Sequence, residues 1–276
     1  MKQDTFELVI ENHKLRGQYW CGRSVSHVII LIHGMGEHYG RYEDFVVPEL
    51  LRNQAAVIGY DQVGHGKSEG KRGHCSSYEI LLDSLELVVK KTTLLFPGKP
   101  LFFYAQSMGG NVALNYVLRR QSNVKGVIAS SPFLRLAFDP PSWKMMAGKL
   151  LQKIAPAFTL PLDLDTQALS KDTIEVKKYE EDPLVHNKVS PNFSFPVMEA
   201  GTWAIKNAVN LKTPVLLMHG HLDRIIDHKG SIDFASKSDL VTLRLFPEGY
   251  HELHNDLEKK EVLKTVKTWI NLQSTP

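Results

Sequence analysis

The sequence predicts an α/β fold with a mostly parallel central sheet flanked by helices and an inserted helical cap. Three observations carry that reading. Short β-branched or apolar runs recur at 28–32, 56–60, 101–104, 127–129, 215–218 and 241–246, each separated from the next by enough chain for a crossover. Apolar residues at helical spacing fill several of the gaps between them. Between Pro132 and Lys212 the alternation stops, and Pro140, Pro141, Pro156, Pro161, Pro183, Pro191 and Pro196 punctuate short helical stretches. The chain 1–276 reads as one domain, with 134–205 as its cap.

Composition narrows the class. At 276 residues and 43% hydrophobic, the chain has ample apolar side chains for a core, which excludes intrinsic disorder. Lys+Arg 33 against Asp+Glu 30 leaves +3, spread along the chain, so no nucleic-acid partner is expected. Two cysteines, Cys21 and Cys75, are too few for a disulfide-stapled secreted scaffold and fit a reducing compartment, although a single pairing between them stays open. The first eleven residues hold no apolar run resembling a signal peptide, and 28–32 is far too short to span a bilayer. A cytoplasmic protein is expected, with peripheral membrane contact left open.

The elements follow in order. Phe6, Leu8 and Ile10 alternate with polar neighbours, and 15–20 returns after Asn12-His13-Lys14, which predicts an antiparallel hairpin. The continuous run 28–32 suits a strand buried on both faces. Pro48 lies between Tyr42 and Arg52, so a helix there begins near the proline or breaks at it. Ser76 and Glu79 form a capping box before Leu81, Leu85, Val88 and Val89. Val262, Val266, Trp269 and Ile270 define a closing surface helix. In the cap, Trp143, Met146, Ala147, Leu150, Leu151, Ile154 and Phe158 form an apolar stripe beside Lys144, Lys149 and Lys153. Such a stripe ordinarily packs on a core, and the alternative is a lipid-facing helix.

One junction carries chemistry. The strand 101–104 runs into Ala105-Gln106-Ser107-Met108-Gly109-Gly110 and then into Val112, Ala113, Tyr116 and Val117 at helical spacing. This is the context of a nucleophile elbow, in which a strained turn lifts a serine above the sheet beside a helix N-terminus. A serine hydroxyl is a weak nucleophile at neutral pH and needs a histidine base held by a carboxylate. Asp223 follows the strand 215–218 and His251 follows the strand 241–246, so Ser107, Asp223 and His251 stand in the α/β-hydrolase order. Asp227 and His254 are rivals, with bland roles as a helix N-cap and a pocket wall. A tetrahedral intermediate needs backbone donors, one from Met108 and one from Met35 in the loop His33-Gly34-Met35-Gly36-Glu37-His38. His33, His38, His219 and His221 match no zinc spacing, so neither metal nor cofactor is expected.

These residues resemble a family. The His33–His38 loop with Arg41-Tyr42, the Asp61-x-x-Gly64-His65-Gly66-x-Ser68-x-Gly70 segment, Gln106-Ser107-Met108-Gly109-Gly110 and Tyr250-His251-x-Leu253-His254 are similar to the monoacylglycerol lipase and lysophospholipase group of serine α/β-hydrolases. The resemblance runs from about Val28 to the final helix and includes Tyr179-Glu180-Glu181-Asp182-Pro183-Leu184. It implies the same triad and oxyanion donors, and adds a polar subsite for a glycerol end at Glu37, Arg41, Tyr179 and His254. Ala105 departs from the pattern, standing where the usual elbow has glycine.

The expected activity is therefore carboxylic ester hydrolysis of a single-chain lipid ester, foremost a monoacylglycerol. A lysophospholipase, a short-chain carboxylesterase or a thioesterase could use the same machinery. A non-catalytic lipid binder would be expected to lack a triad member. Each buried CH₂ is worth ~0.8 kcal/mol, so a long acyl chain could contribute on the order of 10 kcal/mol to binding under an apolar cap.

Overall fold

The computed structural model describes residues 2–274. The chain opens with β1 (Lys2–Ile10) and β2 (His13–Cys21), paired antiparallel from Lys2 opposite Cys21 to Ile10 opposite His13. Phe6 and Ile10 face inward while Thr5, Glu7 and Val9 face out, the period of two expected of a strand with one wet face. Then follow β3 (His27–Ile32), α1 (Val46–Arg52), β4 (Ala55–Tyr60), α2 (Glu79–Leu95), β5 (Leu101–Gln106), α3 (Met108–Arg119) and β6 (Val124–Ser130). Between β6 and β9 the chain holds α4 (Ser142–Ile154), β7 (Leu160–Pro161), α5 (Thr173–Glu181), β8 (Lys188–Val189) and α6 (Pro191–Asn207). The chain closes with β9 (Val215–Gly220), α7 (His228–Ala235), β10 (Val241–Phe246) and α8 (Lys259–Ser274).

Eight strands form one sheet in the order β1-β2-β4-β3-β5-β6-β9-β10, parallel from β4 onward. Alternation along each strand feeds two cores. Ile30, Ile32, Phe103, Val127 and Leu217 meet α2, α3 and α6 on one face. Ile29, Leu31, Phe102, Ile128 and Leu216 meet α1 and α8 on the other, where Val262, Val266, Trp269 and Ile270 are buried. All six residues of β3, β4, β5 and β9 are buried, which is why those strands read as unbroken apolar runs. Cys21 and Cys75 are both buried and free.

Two local expectations change, and the helix expected to begin near Pro48 does so, at Val46. The helix expected after Ser76 begins at Glu79, but Ser76 does not cap it: its Oγ donates to the Glu11 carboxylate at 3.1 Å, and Ile80 N–H reaches Ser77 Oγ at 3.4 Å. Pro48 lies inside the first turn of α1, where its missing N–H costs nothing. The apolar stripe of α4 does not pack on the core. Trp143, Met146, Leu150 and Ile154 are 69, 73, 60 and 71% exposed, and no residue of α4 is buried. Its inner side is instead the narrow one, where Gly148 lies so close to the Phe195 ring of α6 that a Cβ would fall 2.8 Å from it. Among the described residues no helix is long and apolar enough to cross a membrane.

Candidate active site

Ser107 sits between β5 and α3 with φ 52° and ψ −115°, a left-handed conformation costly for any residue bearing a Cβ. The strain is held by backbone bonds on both sides. Ser107 N–H donates to Ser130 O at 2.9 Å, and Ser107 O accepts from Asn111 N–H at 3.0 Å and Phe133 N–H at 2.9 Å. The helix must approach the neighbouring strand closely, and only glycine permits it: a Cβ on Gly109 would lie 2.1 Å from Ile32 O.

Asp223 and His251 come from the loops after β9 and β10, adjacent strands at the far side of the sheet. His251 Nδ1 donates to Asp223 Oδ2 at 2.7 Å, and His219 Nε2 reaches the same oxygen at 3.2 Å. Asp223 Oδ1 accepts from Ile225 N–H at 2.8 Å and Ile226 N–H at 3.0 Å. Burial alone would raise this carboxyl, but the charge of His251 and the hydrogen bonds from His219 and His251 hold it well below the usual carboxylate range. Burial likewise pulls the His251 imidazole down, and the Asp223 charge and hydrogen bond outweigh it and raise the ring above 6.5. Gln106 Nε2 donates to His251 O at 2.9 Å, tying the residue before the serine to the histidine backbone. No hydrogen bond joins Ser107 to His251 among the described residues; both line the same cavity, and nucleophile–base contacts often tighten only around substrate. Asp227 caps α7 through Lys229 N–H.

That cavity has a volume of about 310 Å³, and Ser107, His251, Met35 and Met108 are among the residues lining it. Its walls are mostly apolar, with Phe133, Leu136, Leu169, Phe193, Val197 and Ile226 among them. Met108 is the first residue of α3, so its N–H has no acceptor within the helix. The Met35 loop is fastened to the segment between α5 and β8: His186 N–H donates to Gly36 O at 2.9 Å, and the His38 ring meets Asp182 Oδ2 at 2.8 Å. His33 is taken up by this packing as well, accepting from Gln62 N–H through Nε2 at 3.0 Å.

Of the four residues expected at a polar subsite, Glu37 and Tyr179 line the cavity, while Arg41 and His254 lie behind its wall. Arg41 is clamped between two carboxylates, donating to Glu252 at 2.6 and 2.7 Å and to Glu37 Oε2 at 2.8 Å, with the Tyr179 ring 4.7 Å from its guanidinium carbon. His254 is fully buried and stacks on Tyr42 with ring centroids 4.6 Å apart, and burial pushes it down to about 4. Sequence reasoning passed over Glu252, which lines the cavity; its signal was the need of a buried arginine for a second acceptor. Burial would raise Glu252, but the Arg41 charge and hydrogen bonds bring it down to about 2. Burial and the Glu252 charge raise Glu37 against the pull of Arg41, yet Gly34 N–H, Tyr42 OH and Arg41 all donate to it, the donor set of a carboxylate.

Comparison with known proteins places this geometry. A family model described as serine aminopeptidase, S33, matches residues 23–258. The chain is 34% identical over 246 residues to an uncharacterized abhydrolase domain-containing protein of Dictyostelium discoideum, covering 88% of this chain and only 26% of that longer protein. It is 31% identical over 261 residues to the monoglyceride lipase of Rattus norvegicus, covering 92% of this chain and 86% of the relative. The crystal structure of Paleococcus ferrophilus monoacylglycerol lipase superposes with a TM-score of 0.85 at 30% identity, covering 99% of this chain and 100% of that one.

Proposed function

The chain belongs to the serine aminopeptidase S33 family of hydrolases, and from that premise we propose that it cleaves monoacylglycerols to fatty acid and glycerol through an acyl-enzyme on Ser107. It is a serine hydrolase on an α/β-hydrolase fold. The observation that carries the substrate reading is the cavity: a mostly apolar chamber whose lining includes both a strained serine and a carboxylate-bound histidine. Relatives of similar length that bear the name monoglyceride lipase support it.

In this reading His251 Nε2 takes the Ser107 proton as Oγ attacks the ester carbonyl. Met35 and Met108 N–H receive the developing oxyanion, each such donor being worth about 3 kcal/mol in the transition state. The imidazolium then protonates the departing glycerol oxygen. A water, deprotonated by the same nitrogen, releases the fatty acid. The segment 134–205 acts as a cap that covers the acyl chain, and each enclosed methylene adds ~0.8 kcal/mol of binding.

The polar end argues for a neutral head group. Among the described residues lining the cavity, Glu37, Asp163 and Glu252 are carboxylates and none is lysine or arginine. Arg41 already pairs Glu37 and Glu252 from behind the wall, so a phosphodiester entering the cavity would find no free cation, whereas an uncharged glycerol end needs none. The exposed α4 stripe, flanked by Lys144, Lys149 and Lys153, supports peripheral docking on a lipid surface as part of the same proposal. The test is kcat/KM across a monoacylglycerol, the lysophosphatidylcholine of equal chain length, an acyl-CoA and p-nitrophenyl acetate. Monoacylglycerol should lead by at least tenfold, and a lead by the lysolipid or the acetate contradicts the reading.

A further inference from the structure

A continuous buried string of hydrogen bonds joins the two halves of the reaction centre. Glu252 follows His251 directly in the chain and takes a two-pronged bond from Arg41 at 2.6 and 2.7 Å. Arg41 bonds Glu37 Oε2 at 2.8 Å, and Glu37 Oε1 accepts Gly34 N–H at 2.6 Å, one residue before Met35. Asn255 Nδ2 and Tyr42 OH steady the outer ends, at 2.8 Å to Glu252 and 3.1 Å to Glu37. The three charged side chains are 4, 7 and 5% exposed in the order Glu37, Arg41, Glu252, so no water competes for these bonds. A planar guanidinium holding one carboxylate with both prongs fixes distance and angle together, which an ammonium does not.

We propose that Glu252, Arg41 and Glu37 form a positioning device that sets the oxyanion loop at a fixed spacing from His251. The inference rests on the proposed assignment of Ser107, His251 and Met35. It gives Arg41 a role other than holding the substrate's alcohol end, since Arg41 lies behind the cavity wall and spends its donors on protein carboxylates. The Met35 N–H can act only if it stands where charge develops, so loosening the string reduces transition-state stabilisation and leaves ground-state binding in the apolar chamber intact.

The test uses Glu252→Gln and Arg41→Gln in the full chain, with kcat, KM and the inhibition constant of phenylboronic acid, which forms a tetrahedral adduct with an active serine. Each variant should lower kcat about 10- to 100-fold, part of what one oxyanion donor supplies. KM should stay within about threefold, and the boronate constant should rise by the same factor as kcat falls. Arg41→Gln strands two buried carboxylates and can fail to fold, in which case Glu252→Gln, which keeps shape and one acceptor, decides alone. A folded Glu252→Gln with wild-type kcat and boronate affinity overturns the proposal. So does a raised KM at unchanged kcat, which would make the string a substrate-binding group. Labelling of wild-type Ser107 by a fluorophosphonate is scored first: its failure removes the underlying site assignment, a result distinct from either outcome in the variants.

Discussion

Asp223→Asn should leave the protein folded and lower kcat by about 10⁴. The two carboxylate oxygens have different partners. Oδ1 accepts two backbone N–H groups, from Ile225 and Ile226, and Oδ2 accepts from His251 Nδ1 at 2.7 Å and His219 Nε2 at 3.2 Å. In asparagine the carbonyl oxygen must take the Oδ1 place, because the two donors facing it are backbone N–H groups that cannot become acceptors, whereas those at Oδ2 are imidazoles that can, and the amide NH₂ falls at Oδ2. His219 tolerates this, since its Nε2 also reaches Ile226 O at 3.2 Å. His251 does not, because an NH₂ donor now faces Nδ1. The ring must turn its lone pair there and carry its proton on Nε2, the nitrogen that the proposed mechanism needs free to accept from Ser107. A factor of 10⁴ is about 5.5 kcal/mol at 1.36 kcal/mol per decade. The assay is fatty-acid release under saturating monoacylglycerol, with circular dichroism and the urea midpoint as controls. A folded variant within tenfold of wild type would refute the tautomer argument.

Three further outcomes follow from the same geometry. Burial pushes His33 down to about 3 and His27 and His254 down to about 4, so the unfolded chain binds more protons than the native one below pH 6.5. Stability should therefore fall as pH drops from 6.5 toward 4, by up to ~1.4 kcal/mol per histidine per unit. His65 and His186 are pushed down by burial too and steepen the fall, Asp61, raised by burial to about 6, opposes it between pH 6 and 4, and His251, raised, takes stability away only as pH climbs past 6.5. Urea midpoints across pH 4.5–8 that stay flat would contradict this. Gly109→Ala drives a methyl into Ile32 O and His33 O, and should cost about 3 kcal/mol in urea unfolding together with most activity; wild-type stability would show the approach to be looser than described. Trp143→Asp with Leu150→Asp should abolish co-sedimentation with anionic vesicles and spare turnover of a water-soluble short ester, and unchanged sedimentation would remove the lipid-docking role from α4.

Local signals were legible and tertiary choices were not. The buried strands announce themselves because β3, β4, β5 and β9 are covered on both faces and so carry no polar alternation. Ser107 is legible because strand, small-residue turn and helix are consecutive in the chain. Asp223 and His251 are legible because parallel strands return their loops to one edge. Periodicity found the α4 stripe but not the side on which the core lies: a close approach at Gly148 turned the narrow face inward and left the aromatic face out. Ser76 had a capping pattern, and Glu11, far away in sequence, supplied a competing acceptor. Arg41 and His254 carry polar atoms typical of a subsite, yet the carboxylates of Glu37 and Glu252 and the ring of Tyr42 hold them behind the wall. Nothing in linear spacing reveals such pairings.

The most direct measurement is stoichiometric labelling by a fluorophosphonate probe, read by peptide mass spectrometry, paired with the turnover of Ser107→Ala. Attachment of one probe per chain at Ser107, with turnover of the alanine variant down by on the order of 10⁶, is the result the three-residue relay requires. Attachment elsewhere, or an alanine variant that still hydrolyses monoacylglycerol at a comparable rate, would contradict it.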